Sequence, residues 1–91
     1  MAVIAGPVIR TRYLSPTNTR GSRVVADHQR DSETVWRQTI AWDHGVDAIQ
    51  NHHRAALTLI ESCPMKEWGV QILAVGHDHS AYYFIASQPH Q

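Results

Sequence analysis

The sequence predicts an α+β fold, in which a small antiparallel sheet of about five strands carries one helix on one face. Residues 8–14 and 34–42 alternate apolar and polar side chains with a period of two, which is typical of half-buried strands. After residue 46 the apolar residues recur with the period of a helix, and two further strand-like runs follow Pro64. The predicted order is therefore β-β-β-α-β-β.

Three strands precede the helix and are joined by short segments rich in polar residues. Alternation in the first strand places Arg10 and Arg12 on the face opposite Ile9. The composition of the two connections predicts a loop at 15–22 and a turn at 28–33. The predicted strands cover residues 8–14, 23–27 and 34–42.

The helix is predicted over residues 47–63. Asp47 and Gln50 have the spacing of a capping box, and Asp43 is an alternative cap one turn earlier. Pro64 ends the helix because proline cannot continue it. The apolar stripe predicted to face the sheet comprises Ile49, Ala56, Leu59, Ile60 and Cys63.

Two strands are predicted after the helix, at 68–75 and 80–86, with a hairpin-type turn at 76–79 between them. The aromatic residues 82–84 are consecutive, so at least one ring points away from the helix-side core. Such a ring can stack on a base or fill an interface between subunits. We expect a single domain over 1–91, and its segments 1–6 and 88–91 are expected to be flexible.

Composition narrows the function classes. The chain has 91 residues, of which 43% are hydrophobic, so its own core is small and a homo-oligomer is expected. Eight basic residues balance eight acidic ones, which argues against a DNA mimic and against a simple basic nucleic-acid binder. No apolar run approaches a membrane span and the N-terminus lacks a basic start, so a cytoplasmic protein without membrane contact is expected.

The loop 15–23 is the first candidate binding site, because it combines hydroxyls, an amide and guanidinium groups. Gly21 permits a positive φ, which would let successive backbone N–H groups converge on an anion. The alternative is that the same residues only satisfy the turn locally. The predicted ligand-binding residues are Thr17, Asn18, Thr19, Arg20, Ser22 and Arg23, together with Arg12.

A basic patch is the second candidate. Arg10 and Arg12 share one face of the first strand, and Arg37 of the third strand is expected nearby. Local concentration of charge matters more than the global balance for binding an anion. The alternative is a solvated sheet face whose arginines pair with Asp27, Asp31 and Glu33.

Metal and catalytic sites receive weaker support. His77 and His79 form a closely spaced pair among seven histidines, but in a turn their rings need not converge. Cys63 lies at a helix C-terminus, which raises a thiol pKa and makes a poor nucleophile. One of His52 and His53 is expected to be partly buried. We therefore expect neither an enzyme, nor a metal site, nor a cofactor; a metal-dependent hydrolase is the third hypothesis.

The run 13–23, YLSPTNTRGSR, resembles a motif of short uncharacterised bacterial, plasmid and phage proteins. The elements Trp42-Asp43-His44 and Asn51-His52, followed by Ala55-Ala56, resemble further elements of that group. The polar segment 27–34 and the His-Asp-His turn depart from it. The resemblance implies an accessory protein of a mobile element that acts against host defence, and it transfers no site residue.

Together these observations predict a non-catalytic binding module for an anionic ligand, either a nucleotide or nucleic-acid phosphate. The alternative is a protein inhibitor of a host defence complex such as CRISPR–Cas.

Overall fold

The computed structural model describes residues 5–87 and confirms the predicted α+β order. The strands are β1 (Val8–Leu14), β2 (Arg23–Gln29), β3 (Val35–Ala41), β4 (Gln71–His77) and β5 (Tyr82–Ser87). The helix α1 spans Ala48–Ser62, and a short 3-10 helix spans Pro64–Trp68. Within residues 5–87, no helix has the length and hydropathy needed to cross a membrane.

The five strands form one antiparallel sheet in the order β3-β2-β1-β5-β4. β1 is central, because it pairs with β2 on one side and with β5 on the other. The helix packs on β1, β2 and β3 and reaches β5, but it makes no close contact with β4. One face of the sheet is therefore covered by α1 except along β4, and no helix or strand formed by residues 5–87 covers the opposite face.

The core lies between α1 and the sheet. Ile9 and Phe84 point to the helix side from paired positions on β1 and β5, and both are fully buried. Leu59 meets them from α1, and Met65 of the 3-10 helix closes one end. Fully burying side chains of this size stabilises the fold by about 2 kcal/mol each. The rest of the cluster consists of Val24, Ala26, Ala55, Ala56 and Ile60.

The helix start confirms one of the two predicted caps. The Asp47 carboxylate accepts a hydrogen bond from the Gln50 N–H at 2.9 Å, which satisfies one of the free donors of the first turn. Asp43, the alternative, instead accepts from the Gly45 N–H at 2.8 Å and shapes the turn before the helix. The predicted stripe is wrong at Ile49, which is 42% exposed. Ile49 faces the uncovered strand β4, so no sheet lies close beneath it.

Several element boundaries differ from the prediction, and at β2 the reason is that strand pairing continues through polar residues. β2 runs on to Gln29, which pairs with Val35, so the turn starts later than predicted. There the Asp31 carboxylate accepts from two backbone N–H groups, which lowers the pKa of Asp31. The segment 64–68, assigned in part to the fourth strand, is the 3-10 helix, with Pro64 in its first turn.

The last hairpin turn is also shifted. His77 pairs with Tyr82 inside the sheet, so the turn occupies 78–81 and not 76–79. Asp78 accepts hydrogen bonds from the Ser80 and Ala81 N–H groups, and these bonds lower the pKa of Asp78 to about 2. Of the ends expected to be flexible, residues 1–4 and 88–91 lie outside the described residues.

Candidate functional site

The open face of the sheet gathers arginines from three neighbouring strands. Because Ile9 and Thr11 point to the helix side, Arg10 and Arg12 point to the open side. Pairing then sets Asp27 of β2 beside Arg10, and Arg37 of β3 beside Asp27. Three charged residues from three strands thus lie in one row across the sheet.

Asp27 is the centre of this cluster. Its side chain is 8% exposed, and three guanidinium groups lie within 4.0 Å of its oxygens. The N···O distances are 3.5 Å from Arg10, 3.6 Å from Arg12 and 4.0 Å from Arg37. We call Arg10, Arg12, Arg37 and Asp27 the arginine cluster.

The carboxylate does not saturate these arginines. Charge-assisted hydrogen bonds are typically about 2.7–2.9 Å long, so the contacts of Asp27 are loose. The Nε atom of Arg12 is buried and has no hydrogen-bond partner within residues 5–87. Three positive charges face one negative charge, and the Arg10, Arg12 and Arg37 side chains are 46%, 38% and 57% exposed, so their outer guanidinium donors are accessible to a second anion.

The surroundings extend the basic surface. Arg23 lies on the same face of β2 as Asp27, because the two residues are four positions apart along the strand. Val8, Gln29 and Tyr83 line a shallow depression of about 260 Å³ with Arg10 and Asp27. Tyr83 is the aromatic residue of 82–84 that points away from the helix, whereas Tyr82 and Phe84 point to the core side. We call this surface, the arginine cluster with Arg23 and Tyr83, the basic face.

The loop before β2 is organised mainly by its own turn. The Thr17 hydroxyl accepts from the Arg20 N–H at 3.1 Å and from the Thr19 N–H at 3.4 Å. The Thr17 N–H donates to the Arg20 carbonyl at 2.7 Å. The backbone nest predicted at Gly21 is wrong, since Gly69 alone among the described glycines has a positive φ. The Thr17 turn removes the need for a left-handed residue there.

The other predicted loop residues divide between structural contacts and solvent. The Ser22 hydroxyl shares a hydrogen bond of 2.8 Å with Tyr13, and Arg23 Nε donates to the Gly21 carbonyl at 3.3 Å. Asn18 and Arg20 are exposed, and no hydrogen bond of their side chains is present within residues 5–87. Of the predicted set, the structure places only Arg12 and Arg23 on the basic face.

From the sequence, a basic patch for anion binding and a sheet face whose arginines pair with Asp27 are alternatives, but the structure contains both. Asp27 pairs with the arginines, and the arginines still exceed it in charge. Tyr83 was foreseen only as one of three aromatic residues. Alternation within one strand does not tell which residues of neighbouring strands pair, so it could not predict that Arg10, Asp27 and Arg37 lie in one row.

The Asn51 motif is structural. Its side chain is fully buried and accepts from the Asp43 N–H at 2.8 Å and from Arg54 Nη1 at 3.0 Å. Its amide donates to the carbonyls of Asp43 at 2.9 Å and Asp47 at 3.1 Å. A longer contact of 3.4 Å reaches the Val46 carbonyl. Asn51 therefore clamps the turn before α1, and it does not contact the loop arginines.

His52 is the inward member of the histidine pair. Its Nδ1 lies 2.7 Å from the Thr11 hydroxyl, and its ring packs against Tyr82 at 4.2 Å between centroids and against Trp42 at 5.9 Å. Burial lowers the pKa of His52, because the charged imidazolium loses its hydration. His53 is exposed and stacks on Phe84.

The remaining titratable groups of the described part of the chain form neither a metal site nor an activated thiol. Within residues 5–87, no three histidine, cysteine, aspartate or glutamate side chains come together as metal ligands. Burial raises the pKa of Cys63, which disfavours its thiolate. No protein-family model, curated protein or solved structure matches this chain.

Proposed function

We propose that this chain is a non-catalytic module that binds the phosphate groups of a nucleotide or nucleic acid on the basic face. The arginine cluster carries the proposal: three guanidinium groups are held close together by one nearly buried carboxylate that only partly neutralises them. Bringing like charges together is unfavourable unless an anion compensates them. Arginine binds phosphate through two parallel hydrogen bonds, which suits the free donors here.

The shape of the surface supports an extended rather than an enclosed ligand. The depression beside Arg10 is smaller than a typical small-molecule pocket, which is about 300–1,000 Å³. An uncovered sheet face with arginines and an outward tyrosine resembles the platforms on which single strands stack their bases. Tyr83 lies in the row next to Arg10, so a base stacked on it would place its phosphate over the cluster.

The loop 15–23 has a secondary part in this proposal. Arg23 contributes to the basic face directly, and the exposed Asn18 and Arg20 lie beyond the end of the same hairpin. Leu14 is four residues from Arg10, about 13 Å along the strand. A ligand several nucleotides long would therefore reach both the arginine cluster and the loop 15–23, whereas a mononucleotide would contact the arginine cluster alone.

The biological setting follows from the resemblance of the run 13–23 to bacterial, plasmid and phage proteins. It favours a cytoplasmic accessory protein of a mobile element that sequesters a nucleotide or nucleic acid used in host defence. The alternative is that the chain binds and inhibits a host defence protein, and the test below distinguishes this from binding of a nucleotide or nucleic acid.

The test measures binding of a fluorescein-labelled single-stranded oligonucleotide of about 12 nucleotides, with ATP as competitor, at about 50 and about 200 mM salt. We expect the wild type to bind and to weaken as salt rises. The double variant Arg10→Gln/Arg12→Gln should bind about tenfold or more weakly, and the slope of log K against log salt should fall by about 1.4. Strong competition by ATP would identify the mononucleotide as sufficient.

Two further variants locate the site. Arg30→Gln is the matched control, because Arg30 pairs with Asp31 and lies over the Trp36 ring on the helix side of the sheet. It should bind as the wild type does. Arg20→Gln/Arg23→Gln should have a smaller effect than the pair on β1. Failure of the wild type to bind either probe at low salt would refute the proposal, as would unchanged binding by Arg10→Gln/Arg12→Gln. A host protein that still copurifies with the chain after nuclease treatment would then support the alternative.

A further inference from the structure

The helix side of the sheet leaves an apolar groove between α1 and β4. The groove has a volume of about 420 Å³ and is separate from the basic face, which lies on the other side of the sheet. It exists because α1 makes no close contact with β4. Its apolar and aromatic lining comprises Ile49, His53, Ile72, Leu73, Val75 and Phe84.

β4 is also an edge strand, and its sequence does not protect that edge. Proteins usually prevent strands from pairing at an edge with charged residues or proline. β4 reads QILAVGH and contains neither lysine, arginine, aspartate, glutamate nor proline. The opposite edge strand, β3, carries Arg37. Of the two edges, β4 is therefore the one open to a further strand.

A bulge presents an apolar side chain at this edge. Pairing with β5 passes from Ile72–Ala86 to Ala74–Ile85, so Leu73 is an extra residue. Bulges redirect a side chain, and Leu73 is 46% exposed. Val75 is 40% exposed and Ile49 is 42% exposed, so three large apolar side chains face solvent along one side of the molecule.

We propose that β4 and the α1–β4 groove form the interface between two copies of this chain. A strand that pairs antiparallel with a copy of itself is related to it by a two-fold axis, so one patch serves both subunits. Pairing centred on Ala74 sets Leu73 of one copy opposite Val75 of the other, at the distance of a cross-strand contact. The protruding leucine and the groove lie on the same edge, and no charged residue of β4 opposes its own copy.

The available area fits a dimer of modest stability. Seven strand residues span about 24 Å. Pairing over this length, together with the exposed apolar side chains, would bury on the order of 1,000 Å² in total, which lies at the lower limit for a specific interface. A small domain also gains apolar burial that its own core does not supply. The dimer should therefore dissociate on dilution.

In such a dimer the sheets join into one, and the two-fold axis stands perpendicular to it. Both helices then lie on one side and both basic faces on the other. This arrangement does not depend on anion binding, so the proposal stands or falls separately from the proposed function.

Sedimentation velocity over low to high micromolar concentrations tests the interface. We expect the wild-type mass to rise from 10.3 kDa toward twice that value as concentration increases. Leu73→Lys should remain at 10.3 kDa throughout while its circular dichroism stays that of the folded wild type, because the side chain is half exposed. Val75→Lys provides a second substitution at the same edge.

Val35→Lys is the matched control, since Val35 is 41% exposed on the opposite edge strand, and this variant should dimerise as the wild type does. A wild type that stays at 10.3 kDa at every concentration would overturn the proposal, even if the groove accepted another protein. Dimerisation of both lysine variants at β4 with wild-type affinity would overturn it as well.

Discussion

Replacing Asn51 with alanine should destabilise this protein more than any other single change of a polar side chain outside the sheet. The amide of Asn51 is fully buried and makes four hydrogen bonds of 2.8–3.1 Å. Alanine removes all four, so the Asp43 N–H loses its side-chain acceptor at a part-buried position and the Asp43 carbonyl keeps only the Val46 N–H at 3.4 Å. The Asp47 carbonyl loses one of its two hydrogen bonds and keeps the one from the Asn51 N–H at 3.1 Å.

The magnitude follows from the bonds. A hydrogen bond in a folded protein contributes about 1 kcal/mol net, and a buried group left without a partner costs about 1–3 kcal/mol. Part of the freed backbone reaches water, so we expect Asn51→Ala to lower the free energy of unfolding by about 3 kcal/mol. For a domain of this size that corresponds to a fall in Tm of about 15 °C. Asn51→Asp keeps one acceptor oxygen but turns its second oxygen toward the carbonyls of Asp43 and Asp47, so it should cost at least as much as Asn51→Ala.

Urea unfolding followed by circular dichroism at 222 nm measures this difference. Thr58→Ala is the control on the same helix, because it deletes a single bond of 2.9 Å from an exposed hydroxyl to the Arg54 carbonyl. That variant should stay within about 0.5 kcal/mol of the wild type. If Asn51→Ala were as stable as Thr58→Ala, the view that Asn51 holds the turn before α1 would be refuted.

Two further predictions concern pH and backbone packing. Burial lowers the pKa of His52 below its ordinary value of 6.5, so the unfolded chain binds a proton more readily than the folded one. The free energy of unfolding should therefore be highest above pH 6.5 and fall as the pH is lowered through that value. In urea titrations, His52→Gln should flatten this pH dependence, while His79→Gln, at an exposed position, should not. If both variants showed the same pH dependence, the assignment of this effect to His52 would be contradicted. A Cβ on Gly6 would collide with the Ala86 carbonyl, whereas one on Gly21 meets nothing within 4 Å. Gly6→Ala should lower the free energy of unfolding by about 1 kcal/mol or more, whereas Gly21→Ala should leave it unchanged or raise it by a few tenths of a kcal/mol. Thermal unfolding measures both differences. A destabilising Gly21→Ala would indicate that Gly21 has a positive φ, contrary to the structure.

Local patterns predicted those features that depend on neighbours in the chain. Alternation placed Arg10 and Arg12 on the face opposite Ile9, and the spacing of Asp47 and Gln50 marked the helix start. These are properties of one strand or one turn, so they are determined by residues only a few positions apart in the sequence.

Features that depend on what lies across the fold were not predicted in the same way. The helical stripe included Ile49, because its spacing matches Ala56 and Ile60, but the stripe does not tell how far the sheet extends beneath the helix. Likewise, the role of Asp27 as the centre of the arginine cluster follows from the register of three strands. Loop composition predicted a binding site at Thr17; that binding stays a prediction, and the structure adds that the Thr17 hydroxyl accepts the hydrogen bonds of its own turn.

The central position of β1 has a consequence for the order in which the chain folds. β1 pairs with β2 across one loop, but its other neighbour, β5, is synthesised after the other four strands of the sheet, so Val8 can pair with Ile85 only then. Contacts of such sequence separation form late, because a long segment must be closed first. Until then the strand at the middle of the finished sheet is itself an exposed edge that other chains can capture. The C-terminal strand thus acts as the closing element of the fold, and a nascent or truncated chain without it should be the aggregating species.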